Sequence, residues 1–201
     1  MELIHSPASP YVRMAVVTAY EVGLIEQVRL VDVGTSPFNT APEVAAANPL
    51  GKIPALIRPD GGTIYDSRVI CRYLNDRAGG NLYPEGATYD ALTLEALGQG
   101  IADCTVSMSY EMRLRPDGER SEAWVEAQWA KNSRALDALE SRWMAHLYGP
   151  LDIGHIAVGC ALGYIDLRHD VRKWRESRPS LAAWFEKFAA RASMQATAPE
   201  A

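Results

Sequence analysis

The chain has 201 residues, 48% of them apolar, and a formal net charge of −5. This is enough apolar material to build a core without disulfide bonds, in one large domain or two small ones. The acidic balance argues against nucleic acid as the main partner, because phosphate binding needs a basic face, but it is compatible with a small anionic ligand held by local fields.

The first part of the chain alternates between strand and helix patterns. A strand at 2–5 precedes a helix from Pro10 to about Val22, which either Ser6 or Ser9 caps. Pro10 at the first helical position is favourable, because its missing N–H would be unpaired there anyway. The next predicted elements are a strand at 27–33 and a short helix at 42–47.

A run rich in turn residues, Asn48-Pro49-Leu50-Gly51-Lys52-Ile53-Pro54, precedes strands at 55–57 and 63–65 and a helix at 67–78. Pro54 cannot donate to a sheet ladder, so it must either start an edge strand or interrupt one. We predict a cis Ile53–Pro54 bond and an Ile53 backbone that pairs with an extended peptide. Asp66 and Ser67 open the helix, and helix N-termini bind carboxylates. The sequence therefore predicts a short anionic peptide as ligand.

Strand patterns end after residues 79–86, which are dense in Gly and Pro and predict a linker. Helices follow at 89–115, 121–147, 152–167 and 179–190. The helix at 152–167 is apolar nearly all round, as a central buried helix is. Asp152 caps it by accepting from the N–H of His155. In a complete capping box the side chain three residues on also accepts from the N–H of the cap residue, and we expect His155 not to do so as a carboxylate would. We expect the tail after Met194 to fray.

The order of these motifs resembles the cytosolic glutathione S-transferases. The run 48–54 followed by a hairpin and Asp66-Ser67 resembles their glutathione site, and residues 3–13 resemble their first strand and active-site turn. The resemblance continues through residues 151–166 and 178–180. It implies an α/β plus all-α chain: a thioredoxin-like βαβ(α)ββα glutathione-binding domain at 1–80, a linker at 81–88, and an all-helical domain at 89–201 that contributes the hydrophobic substrate pocket.

Ser9 is the first candidate for a catalytic hydroxyl, and Ser6 is its rival. A hydroxyl at a helix start can donate to a thiolate, and the positive potential there favours the charged thiol. A free thiol titrates near about 8.5, so a shift of about two units makes the thiolate the major form at neutral pH. The alternative is that Ser9 is only an N-cap, worth about 1 kcal/mol. Other family members place Tyr or Cys in this turn; the absence of Cys favours thiolate stabilisation over a covalent protein-thiol mechanism.

The resemblance also implies a set of glutathione contacts. Ser67 would bind the γ-glutamyl carboxylate, Asp66 would accept from the ligand's ammonium, and Ile53 next to Pro54 would bind through its backbone. Lys52 is placed to reach the glycyl carboxylate. The alternatives are a plain helix cap for Asp66 and Ser67 and a solvated surface lysine for Lys52.

Further candidates lie on the active-site turn and the first long helix. Asp103 occupies the position from which related dimers send an acidic side chain into the neighbour's glutathione site; the alternative is an exposed helical Asp. Arg13 is expected to face the ligand or to pair with acids at a dimer interface. The candidates for lining the electrophile pocket are Pro7, Tyr11, Met108 and Tyr110. The alternative for each of them is a position in the hydrophobic core.

Cysteine and histidine usage limits the cofactors and the compartment. Cys71, Cys104 and Cys160 are an odd number and widely spaced, which favours reduced thiols in the cytoplasm over a disulfide framework. The four histidines lack metal-ligand spacing, so we expect no metal. We also expect no secretion signal and no membrane span.

The leading functional prediction is an enzyme of detoxification. It binds glutathione as co-substrate, stabilises its thiolate, and adds it to a small hydrophobic electrophile, as a symmetric homodimer. Conjugation, dehalogenation, peroxide reduction and double-bond isomerisation start from the same thiolate and are not separated by the sequence. The alternative is a non-catalytic glutathione-binding, ligand-binding or assembly protein of the same fold.

Overall fold

Backbone contacts in the computed structural model, which describes residues 1–199, divide the chain into two compact units. Unit 1 comprises Met1–Thr88 together with the described chain from Ala192 onward, and unit 2 comprises Tyr89–Arg191. Residues 192–201 belong to the helical domain in the prediction from sequence, whereas the contacts group the described chain from Ala192 with unit 1. Residues 200 and 201 of that predicted domain lie outside the described residues.

The helices and strands follow the predicted order. Unit 1 contains β1 Glu2–His5, α1 Pro10–Glu21, β2 Arg29–Asp32, α2 Pro42–Ala47, β3 Ala55–Ile57 and α3 Ser67–Ala78. The helices that follow are α4 Thr88–Leu114, α5 Glu122–Ala138, α6 Met144–Leu147, α7 Ile153–His169 and α8 Pro179–Ala189, and the chain then returns to unit 1 with α9 Ala192–Ala196. The predicted fold class, an α/β unit followed by an all-helical one, is confirmed.

The sheet of unit 1 has the order β2-β1-β3. β1 runs parallel to β2 and antiparallel to β3, and its central residues Leu3 and Ile4 are buried. The predicted fourth strand at 63–65 is reduced to a single bridge, in which Leu56 and Ile64 exchange two hydrogen bonds of 2.9 Å. The hairpin therefore pairs at one level only, although the chain reverses where the sequence predicted.

The strand register brings three distant segments to one end of the sheet. Ile4 pairs with Ala55 in the antiparallel ladder, so two residues further on Ser6 is level with Ile53. On the other side of β3, the bridge of Leu56 with Ile64 puts Asp66 level with Pro54. The turn after β1, the residues before β3 and the start of α3 therefore meet.

Unit 2 is built around α7. Ile156, Val158 and Leu162 of this helix are fully buried, as its apolar pattern predicts. Gly98 of α4 lets the two helices approach closely, because a Cβ at that position would lie 2.6 Å from the carbonyl carbon of Ala157. The single helix predicted at 121–147 is interrupted by one π-helical turn at Leu139–Trp143, between α5 and α6.

The capping box of α7 is complete, so the prediction of a half-missing box was wrong. Asp152 Oδ1 accepts from the N–H of Gly154 at 2.9 Å and of His155 at 3.3 Å. Nδ1 of His155 lies 3.2 Å from the backbone N of Asp152 and 2.8 Å from its Oδ1. An unprotonated Nδ1 accepts the N–H as a carboxylate oxygen would, and a protonated one donates to Oδ1. The capping box is reciprocal when Nδ1 is unprotonated, and in the other state the ring bonds only to the capping carboxylate.

The chain after Met194 differs from expectation only at its start. Gln195 and Ala196 complete α9, although both are exposed, and the half-buried Thr197 accepts from Arg13 Nε at 3.3 Å. The helix packs against α1 through the buried Ser193 and Met194. Within residues 1–199, no helix has both the length and the apolar character needed to cross a membrane.

Candidate functional site

Asn48 orders the loop that leads into β3. This residue is buried, its Nδ2 donates to the carbonyl of Lys52 at 2.9 Å, and its own carbonyl accepts from Gly51 N at 2.8 Å. Gly51 has φ +64°, a conformation that favours glycine. Asn48 was not predicted to have this role, although it begins the motif at 48–54. An Asn three residues before a turn glycine was the available signal.

Ile53 follows this loop with its backbone open. The Ile53–Pro54 bond is cis, as predicted. Among residues 1–199, neither the N–H nor the C=O of Ile53 makes a hydrogen bond, and the ladder to β1 begins at Ala55. The side chain of Lys52 is exposed. This main-chain segment can accept an extended peptide.

Asp66 and Ser67 open α3 at the same end of the sheet. Asp66 Oδ1 accepts from Arg68 N at 3.1 Å, so the exposed Asp66 is an N-cap. Ser67 is 1% exposed, and its Oγ has no partner among the described residues. Buried polar atoms nearly always have a hydrogen-bond partner, and those that lack one need an explanation. A ligand carboxylate at the helix N-terminus would satisfy this hydroxyl.

Ser9 is the N-cap of α1. Its Oγ accepts from Val12 N at 3.3 Å, and its backbone N donates to the carbonyl of Ser6 at 3.1 Å. A hydroxyl has one donor and two acceptor positions, so this cap leaves the O–H of Ser9 available to donate. Ser6 and Ser9 are both half-buried. The geometry thus keeps both candidates at the site, and only Ser9 sits at the helix cap.

The remaining candidates of the active-site turn lie in different surroundings. Pro7 is exposed and Tyr11 is half-buried. Arg13 is buried, and its guanidinium donates to the backbone carbonyl of Met194 at 2.9 Å and to Thr197 at 3.3 Å. Arg13 therefore binds the C-terminal segment of its own chain, a contact that the sequence analysis missed because the tail was expected to fray.

The candidates in unit 2 all lie on α4. Asp103 is exposed, and Tyr110 is 46% exposed. Burial raises the pKa of the Tyr110 hydroxyl, and the neighbouring Tyr164 adds to the effect. Met108 is fully buried, so it packs in the core of unit 2 and is closed to solvent.

One cluster of metal-ligating side chains lies outside this region. His146, Asp152 and His155 have donor atoms within 4.8 Å of one another. The distance from His146 Nε2 to Asp152 Oδ2 is 2.5 Å, so these two side chains are hydrogen-bonded. Burial would raise the pKa of Asp152, but hydrogen bonds from His155 and His146 outweigh it and hold the pKa below its usual value. The cluster is a hydrogen-bonded cap.

The three cysteines are free thiols. Cys71 and Cys160 are buried, and Cys104 is partly exposed. Burial raises the pKa of the Cys104 thiol. A raised pKa leaves the thiol protonated and unreactive at neutral pH, so none of the three has the surroundings of a nucleophile.

Comparisons with known proteins agree with this architecture. The glutathione S-transferase N-terminal domain matches residues 8–77, and the glutathione S-transferase C-terminal domain matches residues 122–187. The "Uncharacterized GST-like protein YibF" of Escherichia coli K12 is 30% identical over 207 residues, which cover 99% of this chain and 98% of that protein.

Two crystal structures extend the likeness to the whole fold. A glutathione transferase family member from Pseudomonas fluorescens Pf-5, crystallised with bound glutathione, has 43% identity and a TM-score of 0.97 over 100% of this chain and 99% of its own. A glutathione S-transferase from Methylobacillus flagellatus KT, also with glutathione bound, has 36% identity and a TM-score of 0.86 over 99% of both chains. The chain belongs to the glutathione S-transferase family.

Proposed function

We propose that this protein binds glutathione in unit 1, holds its sulfur as a thiolate beside Ser9, and adds it to a small hydrophobic electrophile. The buried hydroxyl of Ser67, which has no partner in the described chain, supports this proposal most directly. Similar proteins from Pseudomonas fluorescens and Methylobacillus flagellatus were crystallised with glutathione bound. Glutathione is a short anionic peptide, the ligand class that the open backbone and the helix start favour.

The proposed binding mode uses one group for each part of the tripeptide. The γ-glutamyl carboxylate bonds to the Oγ and N–H of Ser67, and its ammonium faces the exposed carboxylate of Asp66. The cysteinyl backbone pairs with the N–H and C=O of Ile53, next to Pro54. Lys52, whose side chain is exposed, pairs with the glycyl carboxylate.

In this mode the chemistry is carried by the start of α1. The O–H of Ser9 donates to the thiolate while its Oγ keeps the cap bond to Val12. The helix N-terminus adds positive potential, and both effects lower the pKa of the bound thiol. The thiol proton leaves to solvent, and the sulfur lone pair forms the new bond to the electrophilic carbon. The leaving group departs from that carbon with its bonding electron pair, as chloride does from a chlorodinitrobenzene, or in an addition the π electrons move onto the neighbouring atom, which then takes up a proton. Holding the two reactants together supplies much of the remaining acceleration.

The test compares Ser9→Ala with Ser6→Ala. Glutathione affinity is measured by calorimetry, and turnover is measured with a chlorodinitrobenzene as electrophile. We expect Ser9→Ala to lower kcat about a hundredfold, the smaller end of the loss measured when one transition-state hydrogen-bond donor is removed, with the affinity within threefold of the parent. Ser6→Ala should leave both unchanged. The opposite pattern would assign the role to Ser6.

The same measurements separate the alternative function. A parent protein that binds glutathione but converts no electrophile of any class would be a binding or assembly protein. A cap bond from Val12 alone explains Ser9 in that case. A parent protein that produces no heat with glutathione would refute both functions.

We further propose that the protein is a symmetric homodimer in the cytoplasm, acting in detoxification. Exposed apolar side chains on and before α3, Tyr65 at 36% and Val69 at 48%, favour a covered surface there. Asp103 is exposed on α4, as a residue that reaches a partner must be. The free cysteines suit a reducing compartment. Light scattering that gives a monomer at micromolar concentration would contradict the dimer.

A further inference from the structure

The C-terminal segment of this chain, residues 192–197, holds α1 at both ends. Near the start of α1, Arg13 Nη2 donates to the carbonyl of Met194 at 2.9 Å and its Nε donates to Thr197 Oγ1 at 3.3 Å. At the end of α1, the hydroxyl of Ser193 donates to Glu21 at 2.5 Å. Both anchors lie within unit 1, although more than 170 residues separate the partners in sequence.

The Arg13 anchor is a buried one. Arg13 is 8% exposed, and no carboxylate within residues 1–199 forms an ion pair with it. Its charge is met by the carbonyl of Met194, which lies in the last turn of the short helix α9 and carries partial negative charge. Thr197 in turn donates to the carbonyl of Ser193 at 2.8 Å, so the acceptor of Arg13 is itself fixed.

This anchor lies one helical turn from Ser9. The backbone N of Arg13 donates to the carbonyl of Ser9 at 3.0 Å, the first hydrogen bond of α1. The Arg13 side chain therefore ties the turn that presents the Ser9 hydroxyl to the end of the chain. A displacement of about 1 Å in a reacting group can cost a hundredfold in rate, so the position of this turn matters for a bound thiol.

We propose that Arg13 and Thr197 are positioning residues: residues 192–197 fix the start of α1 and thereby set how well the Ser9 hydroxyl stabilises the glutathione thiolate. This inference rests on the proposed function. It assigns to the C-terminal segment a part in thiol activation without contact to the ligand. Tripeptide binding, which depends on Ile53 and Ser67, does not depend on this anchor.

The test measures the pKa of the bound glutathione thiol from the ultraviolet absorbance of the thiolate against pH. Thr197→Val keeps the shape and the Arg13 charge but removes the acceptor of Arg13 Nε. A chain ending at Arg191 removes the whole segment. The matched control is Thr35→Val, because the Thr35 hydroxyl accepts from Ala41 N at 3.3 Å elsewhere in unit 1. Calorimetry with S-methylglutathione, which has no titrating thiol, reports tripeptide binding separately.

We expect Thr197→Val to raise the thiol pKa by about half a unit and the shortened chain to raise it by about one unit. The affinity for S-methylglutathione should stay within threefold in both, and Thr35→Val should match the parent. If the shortened chain does not fold, Thr197→Val decides alone. A thiol pKa equal to that of the parent in Thr197→Val overturns the inference, even if its melting temperature falls.

Two further results separate this inference from its basis. Arg13→Met removes the positive charge together with the hydrogen bonds to Met194 and Thr197. Arg13→Lys keeps the positive charge. A thiol pKa that rises only in Arg13→Met, and not in Thr197→Val, would assign the effect to charge and overturn the positioning role. A parent protein that leaves the thiol pKa of glutathione at its free value would refute the proposed function itself, and the inference with it.

Discussion

Ser67→Ala should separate stability from ligand affinity. The Ser67 Oγ is buried and has no partner within residues 1–199, so its removal breaks no hydrogen bond of the unliganded protein. A buried polar group without a partner costs about 1–3 kcal/mol. We therefore expect the free energy of unfolding of Ser67→Ala to equal that of the parent or to exceed it by up to about 1 kcal/mol, part of that cost.

The effect on glutathione should have the opposite sign. A hydrogen bond to a charged acceptor contributes about 1.5–3 kcal/mol. If Ser67 donates to the γ-glutamyl carboxylate, its loss weakens binding by about 10- to 150-fold. Because S-methylglutathione keeps this carboxylate, it should lose the same factor, which distinguishes the effect from any change at the thiol.

Ser193→Ala is the matched control, since Ser193 is also a buried serine of unit 1. Its hydroxyl donates to Glu21, so its loss should lower the free energy of unfolding by about 1–3 kcal/mol and leave the affinity for S-methylglutathione unchanged. Urea unfolding at one fixed protein concentration and calorimetry provide the two measurements. A Ser67→Ala protein that binds the tripeptide as tightly as the parent would refute the assignment.

Three further changes test the packing, the cap and the buried histidine of unit 2. Gly98→Ala should lower the free energy of unfolding by about 2 kcal/mol. The added methyl group overpacks against the Ala157 backbone, and the cost of this overpacking is larger than the gain of about 1 kcal/mol from the better helix propensity of Ala. Gly100→Ala in the same helix meets nothing within 4 Å, so it should raise stability; equal urea midpoints for the two would contradict the close approach. Asp152→Ala should cost about 2 kcal/mol, the upper end for an N-cap, and an unchanged melting temperature would argue against the capping box. Burial lowers the pKa of His169 from its usual 6.5, partly offset by its bond to a backbone carbonyl. The free energy of unfolding should therefore fall as the pH drops from about 6.5 to the lowered pKa of the folded protein, by at most about 1.4 kcal/mol per pH unit. His169→Gln should flatten this dependence. Parallel plots of unfolding free energy against pH for the parent and His169→Gln would contradict the prediction.

Elements with chemical end signals were well predicted from sequence. α2 and α3 begin and end where the sequence predicted, at Pro42–Ala47 and Ser67–Ala78. A proline at the first position marks the start of α2, and Asp66 marks the start of α3. Gly79, with φ +63°, ends α3 in a left-handed conformation. These signals are local, so no knowledge of tertiary contacts was needed.

Features that depend on tertiary contacts were missed. α9 has only five residues, too few to form a stable helix in isolation, so no local pattern reveals it. Its stability comes from packing against α1 and from the bonds of Arg13. The capping role of His155 was missed for a different reason. Sequence motifs record a carboxylate at that position, whereas the backbone needs only an acceptor nitrogen or oxygen.

The candidate site stays a prediction, and its defining groups are ones that make no hydrogen bond within the described chain. Other buried polar groups of unit 1 are satisfied: the side-chain oxygen and nitrogen of Asn48 are both hydrogen-bonded, and Arg13 is held by the C-terminal segment. At the end of the sheet, the Ile53 backbone, the Ser67 hydroxyl and the O–H of Ser9 have no partner in the described chain. The other buried side-chain atoms without a partner in the described chain, Asn132 Oδ1, His155 Nε2 and Arg168 Nε, all lie in unit 2. In unit 1 the groups without a partner are those to which the proposed function assigns a peptide backbone, a carboxylate and a thiolate. These unmade hydrogen bonds are the reason for testing Ile53, Ser67 and Ser9 before any other residues of unit 1.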